Sequence, residues 1–514
     1  MLPAAALVLL AVLINVGFPA YLACCSRERV VRYVADDAYY YFSVAQRLAH
    51  GEWATADGVT KTTGFHPLYA FLMAGLQRSL NLSLDGLVGA AILVNFAAFV
   101  LAGGCLYWCA RLLWGRPAGV VTALLWLTNP HGARIGADAM EGGLYAAALS
   151  FFLWRTAALI RRTPATADAA PGATSFLAIG LAAALTVWSR TDSVVLMPLI
   201  VFVLLATRRS ATVRFTAAAT IVVSAGCALG VWWLFAFAQT SSVVQGSAAV
   251  KVLWRKTMDA EAGWWVRTTA LEWGRFLAKS FFKIPAMKWV ISGLPLLRMR
   301  GTASSHWAER LFIHVLWVLP VGLGLAYAGF LDRPRTWYYV PSLVTLTLLA
   351  GGAAAAVLCM PLTNRIQASA RRYAPLITWL LILESGVIFA REASALGDST
   401  QPEAVRAAAW LDENAPDGMR VGAWHSGIVQ YYTARVTVIN LDGLANNDIL
   451  DLMRGGKSMN QYWDERGITA IVGKPRAKMV GFQREWGGKR LEPWGPHELF
   501  QRVAPVEQHS PQRP

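Results

Sequence analysis

The sequence predicts an all-α polytopic membrane domain of about 11 transmembrane helices followed by a small α/β domain outside the membrane. Three observations predict it. The 514-residue chain is 55% hydrophobic and only 15% charged, with 22 Trp, whereas a soluble protein carries about a quarter charged residues. Its apolar residues fall in blocks of about 20, the length that crosses a bilayer core. After residue 392 the pattern changes to alternating helix and strand periods with turn residues between them.

The apolar blocks lie near 3–23, 84–110, 117–130, 142–160, 174–189, 193–206, 215–238, 309–331, 338–360 and 373–391, with a weaker one near 280–297 broken by Lys283 and Lys288. The first block has no Lys or Arg before it, so it reads as an uncleaved first helix rather than a signal peptide. With the N-terminus in the cytoplasm, five cytoplasmic connections hold Arg111 and Arg116; Arg161 and Arg162; Arg208, Arg209 and Arg214; Arg298 and Arg300; and Arg365, Arg371 and Arg372. That is the positive-inside bias, and it holds at the last connection only if the weak block is counted. The division is then 1–391 as the membrane domain, with long outer loops at 24–83 and 239–279, and 392–514 as the outer α/β domain. In that tail, "AVRAAAWLDENAPDGMRVGAWHSGIVQYYTARVTVIN" reads helix, strand, helix, strand, and "GITAIVG" reads as a further buried strand.

The net charge of +16 does not indicate nucleic acid, because the arginines sit in short segments between apolar blocks and build no basic domain. Membrane lipids and lipid phosphates are the expected partners. Of six Cys, Cys105, Cys109, Cys227 and Cys359 lie inside apolar blocks as packing residues, and Cys24 and Cys25 are adjacent, where pairing would be strained. There is neither a disulfide framework nor a zinc spacing.

The outer loops carry the chemically interesting residues. Loop one holds Asp36, Asp37, Tyr39, Lys61 and His66; the next outer turn holds Asp138 and Glu141; a third holds Arg190 and Asp192; loop 239–279 holds Lys251; the last turn holds Trp337, Tyr338 and Tyr339. Charges near a bilayer are costly, about 2.5–3.5 kcal/mol each at a helix centre and less near the interface. They are tolerable where they line a wet cavity and pair. Asp138 and Glu141, three apart, share a face if their helix extends that far. Each residue also has a plainer reading. Glu141 suits a helix N-terminus, Arg190 and Asp192 suit an ion pair in a tight turn, Lys61 and Lys251 suit snorkelling, the 337–339 aromatics suit an interfacial belt, His66 before Pro67 suits a turn, and "DGLANND" at 442–448 suits a turn and helix cap. The acidic residues gain weight from sharing one side of the membrane.

With "DDAYYY" at 36–41 and "TGFHPL" at 63–68, and with "AMEGG" at 139–143, "RTD" at 190–192, "GSAAVK" at 246–251 and "WYYVP" at 337–341, the chain resembles the GT-C class of integral-membrane glycosyltransferases. The match is best to a bacterial subgroup that uses polyprenyl-phosphate sugars and carries the first-loop motif. The resemblance implies the GT-C fold, a multi-pass location in the bacterial inner (cytoplasmic) membrane, and an active site on the outer, periplasmic side. It implies that Asp36 or Asp37 supplies the base and that Glu141, with Asp138 nearby, helps bind acceptor or metal. "SGxxK" appears as "GSAAVK", which makes Lys251 a donor-phosphate residue, and "DAMEGG" lacks the Thr or Ser expected after the Glu.

The outer side has no nucleotide sugars, so a transferase there needs a donor already activated, and a polyprenyl-phosphate-linked sugar is one. The acceptor hydroxyl, on a glycan, glycolipid or protein, must lose a proton as it attacks the anomeric carbon, and a carboxylate takes it. The leaving phosphate needs cations, for which Lys61, Arg190 and Lys251 are candidates. Tyr39, His66, Trp337, Tyr338 and Tyr339 suit hydrogen bonds or stacking on donor or sugar. No cofactor is required by this scheme, although a divalent cation, Mg or Mn, held at Asp37 and Glu141 stays open. Two other classes compete: a lipid-linked-sugar transporter or flippase, which calls for charges at mid-membrane on broken helices, and a non-catalytic lipid-binding subunit.

Overall fold

A computed structural model describes residues 2–161, 171–207, 209–262, 307–330, 335–358, 401–455, 458–473, 489–494 and 497–501, with short helical pieces between 271 and 278 and between 379 and 390. The expected weak span at 280–297 lies outside the described residues, as does part of the block at 373–391.

Among the described residues six helices are long and apolar enough to cross a membrane: Ala5–Ala23, Leu84–Trp114, Gly142–Arg161, Ala211–Thr240, Trp307–Tyr327 and Trp337–Ala355. Shorter apolar helices run Arg116–Leu127, Ala173–Ser189 and Thr191–Leu205. Each falls on an apolar block read from the sequence. The first span consists of α1 (Leu2–Val12), a π turn (Leu13–Gly17) and α2 (Phe18–Ala23). Next come α3 (Arg27–Val30), α4 (Asp36–Ala49), α5 (Pro67–Leu80), α6 (Leu84–Trp114), α7 (Arg116–Leu127) and α8 (Pro130–Ala137). They are followed by α9 (Gly142–Arg161), α10 (Ala173–Ser189), α11 (Met197–Leu205), α12 (Ala211–Thr240), α13 (Gly246–Ala262), α14 (Trp307–Phe330) and α15 (Val340–Leu358).

Local chemistry sets the ends of these helices. Pro67 starts α5, where its missing N–H costs nothing, and Asn81 ends it in the left-handed region at φ 45°. Ser83 caps α6 by accepting the Gly86 N–H, and Ser210 caps α12 from Val213. At the far end of α6 and α9, Arg161 pairs with Glu309 at 3.1 Å and donates to the Leu113 carbonyl at 2.8 Å. Arg111, Arg116, Arg161 and Arg214 thus gather at one end of the bundle, and the acidic loops lie at the other.

The tail holds α16 (Gln401–Asn414), β1 (Arg420–Ala423), α17 (Gly427–Tyr432), β2 (Thr437–Asn440), α18 (Asn447–Met453), α19 (Met459–Arg466), β3 (Ala470–Gly473), β4 (Lys489–Trp494) and β5 (His497–Gln501). Its sheet order is β2-β1-β3-β5-β4. β1 pairs parallel with β2 and β3, while β5 runs antiparallel to β3 and β4. The β4–β5 hairpin goes beyond the strands read from the sequence.

Two cores result. One fills the bundle around Trp126, Phe152, Phe312 and Leu346. The other begins in loop one at Tyr39, Phe42 and Tyr69, continues through Phe96 and Trp232, and runs into the tail at Val421, Ile428 and Tyr431. First loop and tail therefore share a single apolar interior. The backbones touch as well: a Cβ on Gly427 would lie 2.1 Å from the Asp36 carbonyl oxygen, and one on Gly64 would lie 1.8 Å from that of Leu444. Only glycine permits these approaches.

Candidate active site at the loop end of the bundle

The acidic pair opens α4. Ala35 is extended (φ −65°, ψ 141°) and donates its N–H to the Asp138 carbonyl at 3.1 Å. That bond places Asp36 and Asp37 in the first helical turn, where negative charge is favoured. The two carboxylates then part company. Asp36 Oδ1 accepts the Ile428 N–H at 2.9 Å, whereas its Oδ2 is buried and has no hydrogen-bond partner. Burial pushes Asp36 up to about 8, with Asp37 and Asp442 adding to the rise and the Ile428 N–H opposing it. Asp37 has no such backbone partner; the charges of Lys251 and Arg335, and those of Asp442 and His425, act on it. Burial raises Asp37 too, and the two cations oppose that rise.

The three tyrosines that follow diverge, as successive helical residues about 100° apart must. Tyr39 is fully buried, its ring 5.5 Å from Tyr431 and 5.7 Å from Tyr432. It belongs to the shared core and lies away from the cations. Tyr40 reaches the tail: its hydroxyl accepts from the Ser426 N–H at 3.0 Å and from Asn440 Nδ2 at 2.9 Å, and donates to Asp442 Oδ2 at 3.4 Å. Tyr41 donates to Glu141 Oε2 at 3.1 Å and accepts the His66 N–H at 3.1 Å.

Glu141 is 1% exposed and sits in a buried network. Arg190 Nη1 meets Glu141 Oε1 at 2.7 Å; Arg190 Nε and Nη2 hold Asp192 at 3.1 and 2.7 Å. Tyr327 donates to Asp192 Oδ2 at 3.0 Å. The guanidinium fork is thus shared by two carboxylates, one inside and one partly exposed, in the bidentate geometry that Arg favours. His66 lies 3.7 Å from Glu141 and accepts the Thr191 N–H at 3.4 Å through Nδ1. Burial pulls the His66 imidazole down to about 4 despite Glu141, so it is neutral near pH 7.

Tyr338 joins this network to the acidic pair. The Arg190 guanidinium lies 4.9 Å over its ring, and Lys251 Nζ donates to its hydroxyl at 3.0 Å. Trp337 stands beside it at 6.1 Å, and Tyr339 is buried at the head of α15. Asp37, Lys251, Tyr338, Arg190, Glu141, His66 and Tyr41 form one continuous polar band.

Tyr39, packed in the shared core rather than set for a donor or sugar contact, falls outside this band, and so do Lys61 and Asp138. Lys61 lies 4.6 Å over the ring of Trp53, and its carbonyl accepts the Asn447 N–H at 3.2 Å. Asp138 lies 3.8 Å from Arg134 and supports the Asp36 turn through its carbonyl. The expected shared helix face of Asp138 and Glu141 is corrected: α8 ends at Ala137, Ala139 turns left-handed at φ 51°, and α9 begins at Gly142.

The sequence reading missed Arg335, Asp442 and His425. Arg335 stood in the quoted last turn, two residues before Trp337. His425 and Asp442 follow the carboxyl ends of β1 and β2, where parallel sheets present their ligand-facing loops. That position was the available signal.

Among the described residues no three His, Cys, Asp or Glu side chains converge as a metal site. The charges of Lys251 and Arg335 act on Asp37, while Glu141 is bound by Arg190.

Residues 394–504 match a family described as a domain of unknown function, DUF8728. Comparison with curated proteins finds no match. Solved structures are similar in fold. ArnT from Cupriavidus metallidurans, bound to undecaprenyl phosphate, is 14% identical over 96% of this chain and 98% of its own, with a TM-score of 0.61. The Archaeoglobus fulgidus oligosaccharyltransferase in its apo form is 14% identical over 94% of this chain and 70% of its own, with a TM-score of 0.62. AglB from the same organism, in complex with an inhibitory peptide and a dolichol-phosphate, is 14% identical over 98% and 74%, with a TM-score of 0.60. The chain thus has the GT-C fold: a multi-pass membrane domain with a small C-terminal domain.

Proposed function

We propose that this protein is an inverting glycosyltransferase that moves a sugar from a polyprenyl-phosphate donor to an acceptor hydroxyl, on the outer side of a bacterial cytoplasmic membrane. The observation that carries the reading is the division of the acidic pair: Asp36 is bound to the tail backbone, while Asp37 is left without such a bond in the field of Lys251 and Arg335. Asp37 is the base. The acceptor oxygen attacks the anomeric carbon as its proton passes to the Asp37 carboxylate. The bond from that carbon to the phosphate oxygen breaks, and the electron pair leaves with the polyprenyl phosphate. Lys251 and Arg335 balance the charge that develops there. Donor phosphate recognition passes from Arg190 and Lys61 to this pair, since Arg190 is committed to Glu141 and Asp192, and Lys61 to Trp53. Glu141, Arg190, His66 and Tyr41 hold the wall behind the site, and Tyr338 orients Lys251. No step is routed through a metal ion.

The reading is supported by the fold shared with ArnT and AglB, whose structures contain undecaprenyl phosphate and dolichol-phosphate. The placement of the arginines at the opposite end of the bundle supports the orientation. The test incubates full-length protein in nanodiscs with radiolabelled polyprenyl-phosphate sugars and a cell-envelope extract as acceptor. Turnover that Asp37→Asn abolishes with donor still bound upholds the reading. Donor binding without turnover in the wild type points to a transport or lipid-binding role and overturns it.

A further inference from the structure

We propose that the C-terminal domain is a working wall of this site, in which Asp442 is a positioning residue that locks Tyr40 and the His425 turn so that Asp37 is held in its working direction. The inference deepens the transferase reading and rests on it for the role of Asp37.

Asp442 is 4% exposed and spends both carboxylate oxygens on the domain boundary. Its Oδ1 accepts the Leu444 N–H at 2.9 Å, and its Oδ2 accepts the His425 N–H at 3.1 Å and the Tyr40 hydroxyl at 3.4 Å. His425 has φ 52°, a left-handed backbone uncommon for any residue but Gly, though His, like Asn and Asp, adopts it more often than most. Such a residue persists only where its surroundings over-determine it, and these residues cluster at functional sites. Here the Asp442 oxygen provides that constraint. His425 sits just past the carboxyl end of β1, with β2 on one side and β3 on the other. In open parallel sheets that switch point is the ligand-facing crevice, and in this protein it opens on the acidic pair.

The mechanical link runs through α4. Asp37 and Tyr40 are three residues apart and share one helix face. The Tyr40 hydroxyl is fixed from three directions by Ser426, Asn440 and Asp442. Fixing it fixes the turn that aims Asp37. The same arrangement brings the His425 side chain within electrostatic reach of the Asp37 carboxylate. Other contacts already hold the domain in place: Asp36 with Ile428, Tyr432 with Asp85 at 3.0 Å, and Asn447 with Thr63 at 3.2 Å. Docking alone does not call for a left-handed residue at this spot.

The test compares Tyr40→Phe, Asp442→Asn and a docking control, Tyr432→Phe, in the full chain in nanodiscs. Asp442→Asn is a stringent probe, because both oxygens accept a backbone N–H and the new amide group opposes one of them. With radiolabelled polyprenyl-phosphate sugars, the first two variants are expected to lose at least tenfold in kcat with donor affinity unchanged within twofold, and their combination to be no slower than the worse single variant by more than twofold. Tyr432→Phe keeps kcat. If activity instead follows thermal stability alike in all three, or Tyr40→Phe turns over normally, the inference is overturned. A second readout needs no turnover. The NMR signal of His425 in ¹³C-histidine-labelled protein, assigned by its loss in His425→Gln, is expected to move in both Tyr40→Phe and Asp37→Asn. A signal that Tyr40→Phe leaves in place overturns the positioning role. Continued turnover by Asp37→Asn instead overturns the base assignment alone, since the histidine signal still decides the role of Asp442.

Discussion

Asp36 Oδ1 accepts the backbone N–H of Ile428, 392 residues further along the chain, at 2.9 Å. Its neighbour Asp37 makes no such commitment and lies in the field of Lys251 and Arg335. The first prediction follows from that asymmetry. Asp37→Asn is expected to lower turnover by about 10²–10⁴-fold, the usual worth of a positioned base. Asp36→Asn keeps an oxygen for the Ile428 N–H and should cost less than about tenfold. Parallel kinetics of the two variants, with donor binding measured separately, check it; equal losses would sink the division of labour.

The close contact at Gly427 gives the second. Gly427→Ala places a methyl group 2.1 Å from the Asp36 carbonyl, so the tail must shift away from α4. The expected outcome is faster proteolysis of the tail together with loss of turnover, at a stability cost of about 1–3 kcal/mol. Limited proteolysis of the full chain reads it directly.

Arg190 and Glu141 form a buried pair, and removing one partner strands the other. Arg190→Met should destabilise the protein by about 3–5 kcal/mol. Adding Glu141→Gln should recover part of that loss. A double-mutant cycle on thermal unfolding in detergent measures the coupling, and simple additivity would show that the two are not energetically linked.

His66 supplies a pH prediction. Its folded value of about 4 lies below its ordinary value of 6.5. Between these the unfolded chain binds the extra proton, so stability rises with pH across that window. The stability contributed by neutral His66 is complete above about pH 6.5 and is lost as the pH falls towards 4. His66→Gln should flatten this part of the stability profile, as measured by thermal unfolding from pH 4 to 8.

Chelation separates protein cations from a metal. With Lys251 and Arg335 acting on Asp37, EDTA treatment followed by gel filtration is expected to leave turnover within about twofold. Lys251→Met should lower it by about 10²-fold or more. A large loss on chelation that Mg or Mn restores would refute this charge assignment.

Hydropathy alone located the membrane helices, because burial in lipid demands long apolar runs whatever the neighbours are. Each apolar block between 3 and 360 lies on a helix, save the weak one at 280–297, which lies outside the described residues. The acidic pair, Glu141, Arg190 and Lys251 were readable because polar groups at helix ends in such a chain need a reason to be there. Their division of labour was not readable. Tyr39, Tyr40 and Tyr41 are identical in type, yet they point into the core, the tail and the Glu141 network. "DGLANND" does form a turn and a cap, with Asn446 accepting the Asp448 N–H. The same stretch also supplies Asp442 to Tyr40, 402 residues away, and no local pattern encodes that pairing.

The apolar interior shared by loop one and the tail has a consequence for biosynthesis. Residues around Tyr39 leave the ribosome early, whereas Val421, Ile428 and Tyr431 arrive near the end of translation. Burial of the α4 face therefore waits for almost the whole chain. Non-local assembly of this kind is slow and leaves sticky surface uncovered. A nascent or truncated chain would expose tyrosines and unneutralised carboxylates beside the bilayer, a signature that quality-control factors can recognise. Competence of the first loop thus waits on residues made roughly 380 positions later.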